Sequence, residues 1–247
     1  NTLFGSRSAT NGHRLAAMAL DGDPDIVTRA LIKGFRGLDK EIINTPLELL
    51  KQYELSLASV SKKHSAGDDA HSLSSLAHSI WPSSLGQPKN TSFSTMSQGS
   101  AFESILPAIS GSCALMVYVD SARHDLYVAS TGDSRAVAGY WDERAGRWEV
   151  EALSVDQTGR NPAEVRRIQR EHPPEEAPYV IQRGRVLGGL EPTRAFGDSR
   201  YKWDRRTQQR IAEAFLPDKY RRGVPRALKT PPYVTAEPLV QWRRLRP

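Results

Sequence analysis

Apolar residues recur every three or four positions in the first part of the chain, a pattern that predicts an amphipathic helix. In residues 24–43 the apolar positions are Ile26, Val27, Ala30, Leu31, Phe35, Leu38 and Ile42. Asp23 can accept hydrogen bonds from the free N–H groups at the helix start, and Pro24 suits the first helical position. Because Pro46 lacks a backbone donor, we expect it to interrupt this helix, with a second helical stretch over residues 47–60.

Further along the chain the hydrophobic pattern becomes typical of strands. Residues 113–119 form a continuous apolar run that predicts a buried strand, and residues 126–130, 136–141 and 148–153 are predicted as the next three strands. The connections between them are short. Short connections favour an antiparallel meander, because parallel strands need long crossovers.

Helical signals return after these strands. Asn161 is a favourable N-cap, the proline after it suits the first helical position, and Glu164 is expected to reach back to the cap, so residues 162–171 are predicted as a helix. Residues 179–190 have strand character around a turn, and residues 203–215 have a helical pattern. Strands grouped together and helices in blocks favour an α+β fold over alternating βαβ units.

Residues 61–104 differ in composition from the rest of the chain. Thirteen of these 44 residues are Ser, and such a segment buries too little apolar surface to offset its ordering entropy, so a disordered insertion is predicted. His64, His71 and His78 repeat every seven residues. We favour decoration of a disordered segment over a metal site, and no Cys joins these histidines.

Composition excludes several classes of protein. The chain has 247 residues, of which 38% are hydrophobic, which is enough to bury a core. Its single cysteine, Cys113, excludes an intrachain disulfide framework and favours a reducing compartment. No apolar run approaches the roughly 20 residues that span a bilayer, so no integral membrane segment is expected. The chain starts at Asn1 without a secretory pattern, so we expect either a removed leader or a fragment.

The net charge of +6 is unevenly distributed. Residues 141–247 hold 22 Lys and Arg against 15 Asp and Glu, whereas residues 1–140 hold 12 against 13. Basic and acidic residues alternate in the basic part, and no aromatic–basic motif typical of nucleic-acid binding occurs. We therefore favour a solvated surface and expect no nucleic-acid partner.

A candidate metal ligand lies between two of the predicted strands. The sequence Thr-Gly-Asp-Ser-Arg at residues 131–135 places Asp133 in a turn at a sheet end. Carboxylate oxygens suit hard cations such as Mg²⁺ and Mn²⁺, although a lone Asp in a turn is more often structural. The glycines at 188–189 could cradle a phosphate, but neither a Gly-Lys-Ser/Thr sequence nor Rossmann spacing accompanies them, so a tight turn is the better interpretation.

Five segments together resemble one enzyme family in their order and spacing. They are Ser-Gly-Ser-Cys-Ala at 110–114, Gly-Asp-Ser-Arg within 128–137, Leu-Ser-Val-Asp-Gln-Thr at 153–158, Glu-Val-Arg-Arg-Ile at 164–168 and Arg-Val-Leu-Gly-Gly-Leu-Glu-Pro-Thr-Arg-Ala-Phe-Gly-Asp at 185–198. The chain resembles the metal-dependent protein serine/threonine phosphatases of the PP2C or PPM type, strongly over 106–238 and weakly over 24–60. Segments at 154–162, 190–203 and 228–238 are similar to the pyruvate dehydrogenase phosphatase branch of fungal mitochondria.

The resemblance implies a four-layer α-β-β-α sandwich of antiparallel sheets with a two-metal centre at one end. In such a centre a metal-bridging hydroxide attacks the phosphorus of a phosphoserine in line, so no Ser or Cys nucleophile is needed, and Cys113 is expected to be a core residue. The implied cofactor is Mg²⁺ or Mn²⁺. The implied partner is a phosphoserine protein, with the pyruvate dehydrogenase E1 subunit as the candidate, and the implied location is the mitochondrial matrix.

The chain departs from the family pattern at both ends of the match. The upstream phosphate-clamping Arg and the first metal motif, Asp-Gly-His-Gly/Ala-Gly, are absent, and residues 21–23 copy only the first two letters of that motif, so we interpret them as a helix cap. The later Asp-Gly-Leu/Ile-Trp-Asp/Glu and Asp-Asn motifs are absent too. Residues 239–247 are expected to be an off-pattern tail without strand character.

Among the residues that match family motifs, only Asp133 matches a metal position, that of an accessory third metal. Asp198 and Arg135 match positions that are mainly structural, so no catalytic residue is assigned. One carboxylate cannot hold two divalent cations. Residues 1–247 are therefore predicted to form one partial, incomplete phosphatase domain with weak activity or none.

Three functions stay open at this point. The first is the interior of an active mitochondrial phosphatase that is truncated at both ends, and this is the one we favour. The second is a truncated pseudophosphatase that acts as a binding module without hydrolysis. The third, a basic nucleic-acid-binding protein, is supported only by a pI near 9.5.

Overall fold

The computed structural model describes residues 23–64 and 98–245. The segments that carry His71 and His78, and most of the Ser-rich segment, lie outside these ranges. The described residues divide into two units: the first is built from 23–39, 112–196 and 233–245, and the second from the rest. A single partial domain over 1–247 stays a prediction.

The helices and strands are named in chain order. The helices are α1 (Pro24–His64), α2 (Gln98–Ile109), α3 (Pro162–Glu171), α4 (Ala177–Val180) and α5 (Arg205–Phe215). The strands are β1 (Gly111–Ser112), β2 (Ala114–Asp120), β3 (Asp125–Thr131), β4 (Val137–Asp142), β5 (Arg147–Ala152), β6 (Ile181–Gln182), β7 (Arg185–Val186), β8 (Phe196–Gly197) and β9 (Leu239–Arg244). Two short 3-10 turns, Ser199–Tyr201 and Asp218–Tyr220, flank α5. Helices and antiparallel strands in blocks confirm the α+β class.

A three-stranded antiparallel sheet in the order β2-β3-β9 forms the centre of the first unit. Every residue of β3 is buried. This strand pairs on both edges, with Val128 opposite Val117 on one side and Gln241 on the other. β2 was predicted to be buried, and this is wrong: Met116 and Val117 are 45% and 52% exposed.

The prediction that residues 239–247 lack strand character is wrong for 239–244, which form β9. Its basic residues are accommodated because their side chains find carboxylates: Arg243 Nε lies 2.9 Å from Glu151 Oε1, and Arg244 Nε lies 2.9 Å from Asp125 Oδ1. Backbone hydrogen bonding to the free edge of β3 thus stabilises a strand here, although the local sequence pattern does not favour one.

The hairpin β4–β5 confirms the third and fourth predicted strands to within one residue. Its strands pair antiparallel, with Trp141 opposite Trp148. A small core packs beneath it and beneath β3, formed by Leu126, Val128, Ala136 and Leu153. One side of the hairpin, with Val137, Trp141, Trp148 and Val150, is more than half exposed.

Helix α1 begins where the sequence predicts. Asp23 is its cap, and the Asp25 N–H donates to Asp23 Oδ1 at 2.9 Å. The predicted interruption at Pro46 is wrong, since α1 continues through that residue. The residues that follow, Leu49 and Leu50, are buried in the core of the second unit, and this packing offsets the backbone hydrogen bond that a proline forfeits.

The core of the second unit is helical. It comprises Leu49, Leu50, Ala101, Ile105, Ala108, Trp203, Ile211, Phe215 and Leu216. The prediction that disorder extends to residue 104 is wrong, because α2 begins at Gln98 and Ala101 and Ile105 are fully buried. Apolar residues at helical spacing stabilise a helix in this stretch, and its serines lie at the surface. Helix α5 confirms the helix predicted over 203–215, with Asp204 as its cap.

Among the described residues, no helix is long and apolar enough to cross a membrane.

Candidate functional site

The turn that carries Asp133 follows directly on the buried strand β3. Gly132 has a φ of 99°, and a Cβ at this position would lie 2.3 Å from Cys113 Sγ, so only glycine fits. Beyond it, Asp133 is exposed, and the Cys113 thiol donates to its Oδ1 at 3.1 Å. Cys113, expected in the core, is only partly buried. Asp133 thus lies at the end of a sheet, where the sequence places it.

Gln157 fixes the backbone immediately before Asp133. Its side chain is 1% exposed. The side-chain oxygen accepts the Gly132 N–H at 2.7 Å, while the side-chain amide donates to the Ser130 carbonyl at 3.0 Å. The Gln157 backbone N–H also donates to the Gly132 carbonyl at 3.0 Å. One buried amide therefore satisfies a donor and an acceptor at the end of β3.

The residues after Asp133 are held by the same neighbouring segment. The Ala136 N–H donates to Ser154 Oγ at 2.8 Å, and Arg135 Nε donates to Asp156 Oδ1 at 3.1 Å. The hydrogen bond from Arg135 lowers the pKa of Asp156 below its usual value. Arg135 therefore holds its own turn in place, which agrees with the structural role expected for it.

A second polar network lies around Glu164, on α3. Arg194 donates to both Glu164 oxygens, at 2.8 and 3.0 Å, Thr193 Oγ1 donates at 2.7 Å, and Arg167 at 2.9 Å. Burial alone would raise the pKa of Glu164, but the hydrogen bonds from Arg194, Arg167 and Thr193 lower it to about 2. The expected contact of Glu164 with the helix cap is therefore wrong. The cap is made by Asn161, whose Oδ1 accepts the Ala163 N–H at 2.9 Å.

Asp198 lies in the second unit, whereas Asp133 lies in the first. It has a left-handed backbone with a φ of 47°, and its N–H donates to the Ser110 carbonyl at 2.8 Å. A Cβ on Gly111 would lie 2.2 Å from Asp198 Oδ2, so the glycine makes room for this carboxylate. These contacts fit a structural residue.

The described residues do not by themselves make a metal centre. Within residues 23–64 and 98–245, no three His, Cys, Asp or Glu side chains are grouped so that they could enclose a cation. Asp133 offers a single exposed carboxylate, and Mg²⁺ in proteins usually needs one or two carboxylates together with waters or phosphate oxygens. Asp133 can therefore contribute one ligand, and the rest of a metal site needs further groups.

The sequence interpretation assigns no role to Gln157 or Arg194, and it assigns Glu164 to the helix cap instead of to Arg194. All three lie inside the segments that carry the family resemblance, which was the available signal. Their roles depend on contacts between segments 25 to 30 residues apart, and a pattern of single residues does not report such contacts.

A family model described as Protein phosphatase 2C matches residues 54–246. The mitochondrial [pyruvate dehydrogenase [acetyl-transferring]]-phosphatase 1 of Saccharomyces cerevisiae is 53% identical over 138 residues, which are 55% of this chain and 23% of that protein. A protein phosphatase 2C homolog of Schizosaccharomyces pombe is 47% identical over 137 residues, 56% of this chain and 29% of that protein.

A mammalian phosphatase is also similar to this chain. The mitochondrial [pyruvate dehydrogenase [acetyl-transferring]]-phosphatase 1 of Homo sapiens is 44% identical over 144 residues, which are 57% of this chain and 26% of that protein. The chain thus spans about a quarter of the length of these three relatives.

Proposed function

The chain belongs to the protein phosphatase 2C family, and from this premise we propose that it takes part in protein serine/threonine dephosphorylation as a phosphatase of the pyruvate dehydrogenase phosphatase type. The family is metal-dependent. The observation that carries the proposal is the Asp133 turn, in which an exposed carboxylate follows a buried strand and is held by Gln157 and by the Arg135–Asp156 pair. Such a turn presents an oxygen ligand at a fixed place.

We propose a phosphoserine protein as the substrate, with the pyruvate dehydrogenase E1 subunit as the candidate. The names of the yeast and human relatives support pyruvate dehydrogenase as the target and a mitochondrial location. Within the mitochondrion we propose the matrix. We propose Mg²⁺ or Mn²⁺ as the cofactor, because carboxylate oxygens suit these hard cations.

We further propose that the 247-residue chain alone has weak hydrolytic activity or none. One carboxylate does not hold two divalent cations, and within the described ranges no cluster of ligand side chains joins Asp133. The same observation favours a second candidate function, a pseudophosphatase that binds a phosphoprotein without hydrolysing it.

The test is hydrolysis and binding of a phosphoserine peptide by the expressed protein with and without Mn²⁺, for the native sequence and for Asp133→Ala. Slow Mn²⁺-dependent release of phosphate that falls with Asp133→Ala supports the enzyme, and saturable binding without turnover supports the pseudophosphatase. Glu149→Gln, an exposed acidic residue on β5, is the control. Absence of peptide binding with and without Mn²⁺ would contradict both functions, because a weakly active phosphatase and a pseudophosphatase must both hold the peptide.

A further inference from the structure

An exposed turn between β6 and β7 lies against the segment that follows Asp156. Arg183 and Gly184 form the corner of this hairpin, with φ values of 53° and 73°. A Cβ on Gly184 would lie 3.0 Å from Arg160 Cγ, and a Cβ on Gly159 would lie 2.4 Å from the Gly184 carbonyl oxygen. The turn and residues 159–160 are therefore packed in direct contact.

Three arginines meet at this turn, and we call Arg160, Arg183 and Arg185 the arginine cluster. Arg160 and Arg185 share one carboxylate: Arg160 Nε lies 3.6 Å from Glu191 Oε1, and Arg185 Nη2 lies 2.7 Å from Glu191 Oε2. Arg183 is exposed and makes no ion pair with any residue that the structure describes. Two guanidinium groups thus share one carboxylate, and Arg183 adds a third positive charge on the same turn. This leaves an excess of positive charge at the surface.

The donors of this cluster are accessible. The Arg160 and Arg185 side chains are 75% and 45% exposed. Each guanidinium carries five N–H donors in a planar fork that matches carboxylates and phosphates. Arg160 has one long contact to Glu191, and Arg185 uses two donors, on Glu191 and on the Gly189 carbonyl. Several donors are therefore available to an anionic ligand.

A short series of contacts joins the arginine cluster to the Asp133 turn. The Gly159 N–H donates to the Glu191 carbonyl at 3.1 Å, and Thr158 forms a β-bridge with Pro192. Three residues before Gly159, Asp156 is hydrogen bonded to Arg135, two residues beyond Asp133. One short segment, residues 156–160, therefore carries contacts to both places.

We propose that the arginine cluster binds acidic residues flanking the phosphoserine of a protein substrate. This inference rests on the proposed function and adds to it a substrate class, phosphoproteins with Asp or Glu near the phosphorylated residue. A cluster confined to one turn fits a few carboxylates of a peptide. Binding of a nucleic acid relies on neutralising many phosphates, which three arginines on a single turn do not provide.

The test measures binding of two fluorescent phosphoserine peptides to the expressed protein. One peptide has Asp and Glu around the phosphoserine, and the other has Asn and Gln at those positions. We expect Arg183→Gln to weaken binding of the acidic peptide by about threefold, and substitution of all three arginines by Gln to weaken it by about tenfold, as expected for exposed charge pairs. Binding of the neutral peptide should not change.

Arg144→Gln is the matched control, because it removes the same charge from another exposed turn, between β4 and β5. Glu191→Gln should have the opposite effect on affinity to the arginine variants. Because it removes the shared carboxylate, it should tighten binding of the acidic peptide by about twofold to threefold. High salt should abolish the difference between the two peptides.

The proposal is overturned if the acidic and neutral peptides bind equally, if Arg144→Gln has the effect of Arg183→Gln, or if a single-stranded oligonucleotide competes as well as the acidic peptide. Turnover of a small aryl phosphate with Mn²⁺ is measured in parallel. If the native sequence turns over the aryl phosphate but binds the two peptides equally, this inference fails and the proposed phosphatase activity stands. If it prefers the acidic peptide but turns over no aryl phosphate, the inference stands and the proposed activity fails.

Discussion

Two glutamates of the first unit are each bonded to arginines, but in different surroundings. Glu164 is 8% exposed and accepts from Arg194, Arg167 and Thr193. Glu191 is 34% exposed and is shared by Arg160 and Arg185. Breaking a buried pair leaves an uncompensated charge without water, whereas exposed partners are rehydrated. The buried pairing of Glu164 with arginines should therefore stabilise the fold. The exposed pairing at Glu191 should contribute little to stability and leave its arginines available for ligands.

The largest expected effect is at the buried glutamate. Glu164→Gln removes the charge that compensates Arg194, whose side chain is only 11% exposed, and should lower the free energy of unfolding by about 3–5 kcal/mol. Chemical denaturation of the expressed protein measures this loss. Glu149→Gln, at an exposed position of β5, should change stability by less than about 0.5 kcal/mol. Equal losses for the two variants would remove the distinction between buried and exposed glutamates.

The second expected effect is a dependence of stability on pH. The pKa of Glu164 is about 2 in the folded protein against 4.5 for the free side chain, so the folded state favours the ionised form. Its contribution is complete above pH 4.5 and is lost as the pH falls toward 2. At roughly 1.4 kcal/mol per pKa unit, the loss is about 3 kcal/mol. Unfolding curves between pH 5 and 2 should show it.

The matched comparison for this pH effect is the Glu164→Gln variant. Because Gln does not titrate, the variant should lose less stability than the native sequence over the same pH range. Parallel pH profiles for the two proteins would show that other carboxylates, such as Asp156 with its lowered pKa, dominate the acid sensitivity.

The sequence around Glu164 predicted the helix that carries it but not its distant partner Arg194. Helix α3 and its Asn161 cap follow from adjacent residues, and both are found. The partner of Glu164, Arg194, lies 30 residues further along the chain, so the sequence interpretation turned Glu164 toward the nearby cap instead. Strand β9 was missed for the same reason, since its partner β3 lies more than a hundred residues earlier and supplies the pairing that the local pattern does not indicate.

At the candidate site, too, the feature set by adjacent residues was predictable and the one set by distant residues was not. A turn at the end of a strand was predictable for Asp133, because glycine and aspartate favour turns. The locking role of Gln157 was not, since it depends on hydrogen bonds to Gly132 and Ser130, 25 and 27 residues away. The buried site needs a side chain with one donor and one acceptor, as Gln has. This need can be inferred only when the positions of the Gly132 N–H and the Ser130 carbonyl are known.

The smallest expected effect is at the exposed glutamate, and it completes the comparison. Glu191→Gln should change the free energy of unfolding by less than about 1 kcal/mol, because Arg160 and Arg185 stay in contact with water when their shared carboxylate is neutralised. Chemical denaturation at low and high salt measures this, and the small effect should shrink further as salt screens the pair. A loss as large as that of Glu164→Gln, unaffected by salt, would mean that Glu191 holds the β6–β7 turn together. In that case the arginines beside it would be structural residues, and their apparent availability for an acidic peptide would follow from exposure alone.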